Sequence, residues 1–334
     1  MPQNRTRQIE QSGRRLVVSF LVTFALVLGA NVPASLANSS APHWSVPVRV
    51  VATTPSVQVS YTVSCPTSTW CVAVNGLGQA IYWKGARWSP PQNVGSHGSL
   101  TSVSCATTVY CVAMGQGRSF LYNGHGWSRS ITLRSAATFH VSCPATTFCA
   151  AAGANAVPGK PSTLATFNGR SWTIHLVSTT AALTDRYLSV SCASAHFCEA
   201  VNLNGATATF DGIHWVTNTR RELAGLTSVS CPANGACVAL SDTGKSLVLR
   251  GTRWSSPVAM TGFKNSLGYS ISCASASRCV AIGLDGHATT WTSSGWSVPV
   301  VVFAGGYHSG VNVSCAPSGT CLAVNDAGQS SARY

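Results

Sequence analysis

The sequence predicts an all-β fold, a seven-bladed β-propeller with four strands per blade, and three observations carry that prediction. Cys-x5-Cys occurs seven times and accounts for all 14 cysteines. A tryptophan follows a turn signal at one fixed place in six of the repeats. The strand missing from the last repeat stands, unpartnered, near the front of the chain.

The cysteine pairs are Cys65/Cys71, Cys105/Cys111, Cys143/Cys149, Cys192/Cys198, Cys231/Cys237, Cys273/Cys279 and Cys315/Cys321, their first members 40, 38, 49, 39, 42 and 42 residues apart. A period near 40 with strand-like content marks a radial repeat with one sheet per repeat. An even, regular set of cysteines behind an export signal reads as a disulfide framework. Metal binding would need thiolates clustered with histidine at short spacing. His140 and His196 stand near cysteines at different offsets, without counterparts in the other repeats. Each bridge would close a short hairpin and contribute about 2 kcal/mol.

The second repeat shows the unit. Strand A is Thr101–Cys105, with Ser and Val alternating as in a narrow strand with one packed face. A five-residue loop between the cysteines leads to strand B, Cys111–Met114. A glycine-containing turn leads to strand C, Ser119–Tyr122, and Asn123-Gly124 to strand D, Trp127–Leu133. Asn-Gly and Asp-Gly favour type I′ turns, in which both central residues take positive φ. The signal recurs at Asn168-Gly169 and Asp211-Gly212, with Lys84-Gly85 and Arg250-Gly251 as weaker versions. Three residues after these glycines stand Trp88, Trp127, Trp172, Trp215 and Trp254, and Trp296 holds the place in the sixth repeat. A large ring once per repeat predicts core between neighbouring blades rather than a ligand platform.

The ends predict the closure. The seventh repeat has strands A, B and C and no Trp strand. Trp44-Ser-Val-Pro-Val-Arg-Val50 matches Trp296-Ser-Val-Pro-Val-Val-Val302 and would supply the missing strand, closing the ring and removing exposed edges.

Residues 1–37 read as a signal peptide, with Arg5, Arg7, Arg14 and Arg15 before an apolar run, Leu16 to Ala30, and a small-residue site at Ser35-Leu36-Ala37. Residues 38–334 would form the propeller domain, secreted or at the cell surface. The alternative is an uncleaved anchor, and only then would the protein partner a membrane. The mature part has 17 Lys and Arg against seven Asp and Glu. Outside the cell that balance suits anionic polymers. No basic run exceeds Arg220-Arg221, which gives no support to nucleic-acid binding.

The repeat resembles one found in secreted, especially actinobacterial, proteins, roughly Asp/Asn-Gly-x-x-Trp-Ser, then Val-Ser-Cys, five residues, and Cys-x-Ala-Val-Gly. Here it stands as Asn123-Gly-His-Gly-Trp127-Ser with Val141-Ser-Cys143, and as Ser228-Val-Ser-Cys231 with Cys237-Val-Ala-Leu240. The resemblance covers nearly the whole mature chain. It implies a secreted propeller and carries over no catalytic residues. A looser likeness is to the Asp-box turns of sialidase-type propellers, at Ser241-Asp242-Thr243-Gly244 and Asn325-Asp326-Ala327-Gly328, with altered spacing.

By analogy of fold, a ligand would meet the face built by the D–A and B–C connections around the channel. The binding candidates there are Arg134, Arg186, Tyr187, Arg220, Arg221, Lys264, Tyr269, Tyr307 and His308. In one reading Arg and Lys hold acidic groups of a glycan or wall polymer and Tyr packs on sugar faces. In a second, Arg134, Arg186, Arg220, Tyr187, Asp185 and Glu222 form a sialidase-like glycosidase or lyase site, although most glycosidases need two carboxylates at a defined separation. In a third, the partner is another surface protein. The sequence shows no phosphate loop, no His-Glu-x-x-His and no Gly-x-Ser-x-Gly, so no catalytic residue, metal site or cofactor is expected.

Overall fold

The computed structural model describes residues 42–51, 59–95, 98–133, 138–154, 162–176, 187–219, 223–263, 269–292 and 294–334. The signal-peptide segment lies outside the described residues.

Seven antiparallel sheets are arranged as blades. Blade 1 runs Tyr61–Ser64, Cys71–Asn75, Gln79–Trp83 and Gln92–Asn93 as strands A to D. Blade 2 runs Ser102–Thr107, Tyr110–Gly115, Arg118–Tyr122 and Ile131–Thr132. Blade 3 runs Thr138–Ala145, Phe148–Ala154, Thr163–Phe167 and Trp172–Leu176. Blade 4 runs Tyr187–Ser194, Phe197–Asn202, Ala206–Phe210 and Trp215–Thr219. In blades 5 and 6 strand D is in two pieces, Arg253–Trp254 with Val258–Ala259 and Gly295–Trp296 with Val300–Val301. Their strands A to C are Leu226–Ala233, Ala236–Ser241 and Lys245–Arg250, then Tyr269–Ser275, Arg278–Gly283 and His287–Thr292. Blade 7 is Val311–Cys315, Cys321–Asn325 and Gln329–Arg333, completed by Val48–Arg49 from the front of the chain. Trp44 adds a bridge to Arg333, so the predicted closure is present.

All seven predicted disulfides are present: Cys65–Cys71, Cys105–Cys111, Cys143–Cys149, Cys192–Cys198, Cys231–Cys237, Cys273–Cys279 and Cys315–Cys321. They staple the A–B turns as expected, and their setting adds that the staples are buried. Cys111, Cys149, Cys198 and Cys279 are fully buried, at 0% exposure, and Cys71, Cys237 and Cys321 nearly so. Each belongs to a hydrophobic cluster of the core. The reason is register. Cys105 and Cys111, Cys192 and Cys198, Cys273 and Cys279, and Cys315 and Cys321 stand directly opposite one another on strands A and B. The bridge therefore lies on one face of the sheet, and that face packs on the neighbouring blade. A buried sulfur packs as a small apolar group. Cys149, Cys198 and Cys279, like Cys111, are thus core residues as well as bridge partners.

The core lies between blades, as seven clusters, one at each interface. The repeated tryptophans pack there as expected. Trp88 joins the blade 7/blade 1 cluster, packs on Trp83 at 5.5 Å and donates its indole N–H to Ser330 of blade 7 at 2.8 Å. Trp172 and Trp296 reach Ser119 and Ser246 in the same way. In each case the acceptor is a C-strand hydroxyl of the preceding blade. Blade 3 has Leu164 at that place, and the buried Trp215 indole N–H accordingly has no partner.

Strand A supplies the other fastener. The Ser of each Val-Ser-Cys, or its equivalent, accepts the backbone N–H of a cysteine in the next blade. The bonds run Ser64 to Cys105, Ser104 to Cys143, Ser142 to Cys192, Ser191 to Cys231, Ser230 to Cys273, Ser272 to Cys315 and Ser314 back to Cys65, at 2.9–3.0 Å. The alternating Ser is therefore the polar link of a closed ring. Such bonds satisfy backbone donors that have no ladder partner between blades.

Two local features differ from expectation. The Asn-Gly and Asp-Gly turns are not type I′, because only the glycine takes positive φ (Gly124 89°, Gly169 88°, Gly212 102°). Asn123, Asn168 and Asp211 instead use a side-chain oxygen to accept two backbone N–H groups ahead of them, an Asx arrangement that spans a wider loop. Strand D is also broken wherever Ser follows the Trp. Ser89, Ser128, Ser255, Ser297 and Ser45 accept a C-strand N–H through their hydroxyls and so stand in for a ladder carbonyl. Thr173 and Val216 follow the Trp in blades 3 and 4, where strand D is continuous.

Candidate binding clefts between blades

Of the predicted channel-face site, Tyr187, Tyr269, Tyr307 and His308 fall among the described residues. Arg134, Arg186, Arg220, Arg221 and Lys264 lie outside the described residues, as do Asp185 and Glu222. Tyr187 opens strand A of blade 4, paired with Asn202. Tyr269 opens strand A of blade 6, buried against Phe263 at 5.4 Å on the channel wall. Tyr307 is exposed. His308 stands apart from an accessible surface at 7% exposure. Asp326, in the B–C turn of blade 7, accepts from the backbone N–H of Ser309 at 2.7 Å and from its hydroxyl, and lies 3.3 Å from His308 Nδ1. This cluster anchors the connection between blades 6 and 7. Asp285 is held similarly, 3.3 Å from His287.

The channel itself is a space of about 270 Å3 lined by all seven A strands. Five of its side chains, Ser102, Ser189, Ser228, Ser270 and Asn312, accept a backbone N–H of the next blade. They are engaged in holding the ring. His140 takes the equivalent place in blade 3, and burial lowers its pKa below the usual imidazole value.

Two clefts open at the opposite end, where A–B and C–D turns of adjacent blades meet. The cleft between blades 1 and 2, about 440 Å3, is lined by Trp70, Tyr82, Lys84, Gln92, Tyr122 and His125 among others, and by no carboxylate. Its aromatic wall is continuous: Trp70–Tyr82 at 5.9 Å, Trp70–Tyr122 at 6.3 Å and Tyr82–Tyr122 at 5.5 Å. Tyr82 is fixed by the Trp127 indole N–H, which donates to its hydroxyl at 2.9 Å, and Tyr122 by donating to Gly124 O at 2.9 Å. Burial raises the Tyr82 pKa, keeping the phenol neutral. Blade 1 has Ala80 where blades 2, 5 and 7 have the serine acceptor, and Tyr82 takes over that role.

The cleft between blades 4 and 5, about 260 Å3, occupies the equivalent place with different residues. Phe197 stands for Trp70, Thr209 for Tyr82, Asp211 for Lys84, Leu249 for Tyr122 and Thr252 for His125. Beneath its floor lies Glu199, fully buried on strand B opposite Thr209. Thr209 donates to Glu199 Oε2 at 2.7 Å, while Oε1 has no partner. Burial pushes the carboxyl up to about 7, against the lowering effect of Thr209, Trp254 and Thr207. At the mouth, Asp211 is held below the usual carboxylate range by the backbone N–H groups of His214 and Ile213.

The expected site lay on the other face, and neither cleft was anticipated. The signal was present as departures from the repeat. Glu199 sits where other blades have Val72, Val112, Ala150, Val238, Val280 and Leu322, and Tyr82 follows no repeat rule.

No protein-family model matches the chain, and no curated protein does. Solved structures share the fold. The chain is similar to a structure described as YCF48 bound to D1 peptide, at 13% identity and a TM-score of 0.62, over 87% of this chain and 94% of that one. It is also similar to the WD40 β-propeller domain of Doa1, at 10% identity and a TM-score of 0.68, over 87% and 97%.

Proposed function

We propose that this chain is a secreted binding propeller that recognises an acidic glycan or wall polymer through the cleft between blades 1 and 2. The observation that carries this reading is a preformed aromatic wall with Lys84 and His125 at its rim and no acid in its lining. Tyrosine and tryptophan faces pack on the C–H face of a sugar ring, and an ammonium holds a carboxylate or phosphate. Tyr82 and Tyr122 are already fixed by hydrogen bonds and Trp70 packs on both, so binding loses little side-chain freedom. Seven disulfides support an oxidising environment. Among the described residues no helix is long and apolar enough to cross a membrane.

A peptide is the second reading, supported by the similar propeller whose structure is bound to one. An array of glycans, wall polymers and peptides, probed with the purified disulfide-bonded protein at low and high salt, separates the two. Salt-sensitive binding to acidic polymers, abolished by Trp70→Ala and weakened about tenfold by Lys84→Ala, is the expected result. Binding confined to peptides would move the function to a protein partner. Binding to acidic polymers that ignored both substitutions would remove this cleft from the account.

A further inference from the structure

The cleft between blades 4 and 5 carries a chemistry that the fold does not require. Six of seven blades have an aliphatic residue where Glu199 stands, so the core packs without an acid there. Burying a carboxyl is unfavourable even with Thr209, Trp254 and Thr207 beside it, and a cation nearby would offset that cost. Thr209 lines the cleft and spends its only hydroxyl hydrogen on Glu199. Toward the cleft its oxygen is left to act only as an acceptor. The mouth adds the Asp211 carboxylate, and the walls add the Trp254 ring, the Phe197 ring and the Asn218 and Thr252 side chains. No Lys, Arg or His lines this space.

We propose that this cleft is a second binding site, and that it takes a ligand bearing a primary ammonium group on a compact body. The ammonium would donate to Thr209 Oγ1 and toward Glu199, lie against the face of Trp254 and face Asp211 at the mouth. A cation beside a buried carboxylate offsets its desolvation, and a tryptophan face attracts an ammonium. The volume of about 260 Å3 admits a single sugar ring or a short alkyl amine. Both are sources of the same chemistry: an amino sugar or a lysine-like chain.

The test is calorimetric titration of the purified disulfide-bonded protein with glucosamine, cadaverine and N-acetylglucosamine. The expected result is saturable binding of one or both amines and none of the acetylated sugar. Glucosamine alone would assign an amino sugar, and cadaverine alone a lysine-like chain. Glu199→Gln should weaken binding about tenfold, because it removes the negative charge behind Thr209 while leaving the lining unchanged. Asp211→Asn keeps the oxygen that organises its turn, so the fold is preserved, and should weaken binding severalfold. If Glu199→Gln fails to fold, Asp211→Asn and Thr209→Val decide the question. Equal affinity for N-acetylglucosamine, affinity unchanged in these variants, or no amine binding at all would overturn the proposal.

Discussion

The clefts between blades 1 and 2 and between blades 4 and 5 are built at the same place by the same strands, yet they differ at nearly every lining side chain. The first is aromatic and basic, the second smaller and acidic. A third equivalent gap, between blades 7 and 1, is nearly filled, at about 10 Å3, with Tyr334 and Trp83 among its lining residues. The comparison separates what the fold needs from what it permits. The tryptophan wedge, the buried disulfide and the Ser-to-Cys ring bond recur around the ring. The residue before the second cysteine, the C-strand residue two before the C–D turn and the start of that turn differ between the clefts, because they face the gap. In a radial repeat, chemistry is therefore set by the positions the repeat leaves unspecified.

The comparison can be broken most severely at the element the clefts share. Trp127→Ala and Trp254→Ala each remove an interface wedge and should each destabilise by about 3 kcal/mol or more, read by urea unfolding. A much smaller loss at one of them would show that the clefts are not equivalent in construction.

Next in size is the pH dependence that only the second cleft should show. The folded pKa of Glu199, about 7, lies above the unfolded value of roughly 4.3. Between these pH values the folded state holds more protons, so stability falls as pH rises and is lowest above about pH 8. The full difference is of the order of 3 kcal/mol. Glu199→Val, which copies Val72, should stabilise the protein at pH 8 and change little at pH 4. A pH profile identical to wild type would refute the assignment.

The smallest effect is expected in the first cleft. Tyr82→Phe removes the acceptor for Trp127 Nε1 and should cost about 1 kcal/mol, since Trp215 shows that the ring tolerates an unpartnered indole. Thermal unfolding of this variant beside wild type gives the value.

Most of the architecture could be read from the sequence because each element announced itself several times. Cys-x5-Cys gave the A–B staple seven times, and the match of Trp44–Val50 to Trp296–Val302 gave the closure. Single features were harder to read. The spacing of Cys143 and Cys149 gives the bridge but not the sheet face it occupies, so the burial of Cys149 waits on the register. Asn123-Gly124 is ambiguous between a tight type I′ turn and a wider Asx loop, and the choice lies in whether the asparagine acts through its backbone or its side chain. His308 reads as a solvated loop residue until Asp326, 18 positions away, is seen to capture it. Glu199 was visible as the one acid among aliphatic equivalents, but its meaning depends on Thr209 and Trp254, which only the fold brings beside it.

The most direct test of opposite chemistry in equivalent clefts is to follow the indole N–H signals of the 15N-tryptophan-labelled protein, assigned by Trp→Phe variants. An acidic oligosaccharide such as hexagalacturonate should move the signals of Trp70 and Trp127 and leave that of Trp254 in place. Glucosamine should do the reverse. If one ligand moved both sets, or if each moved the other's cleft, the two sites would not be the chemically opposed pair described here.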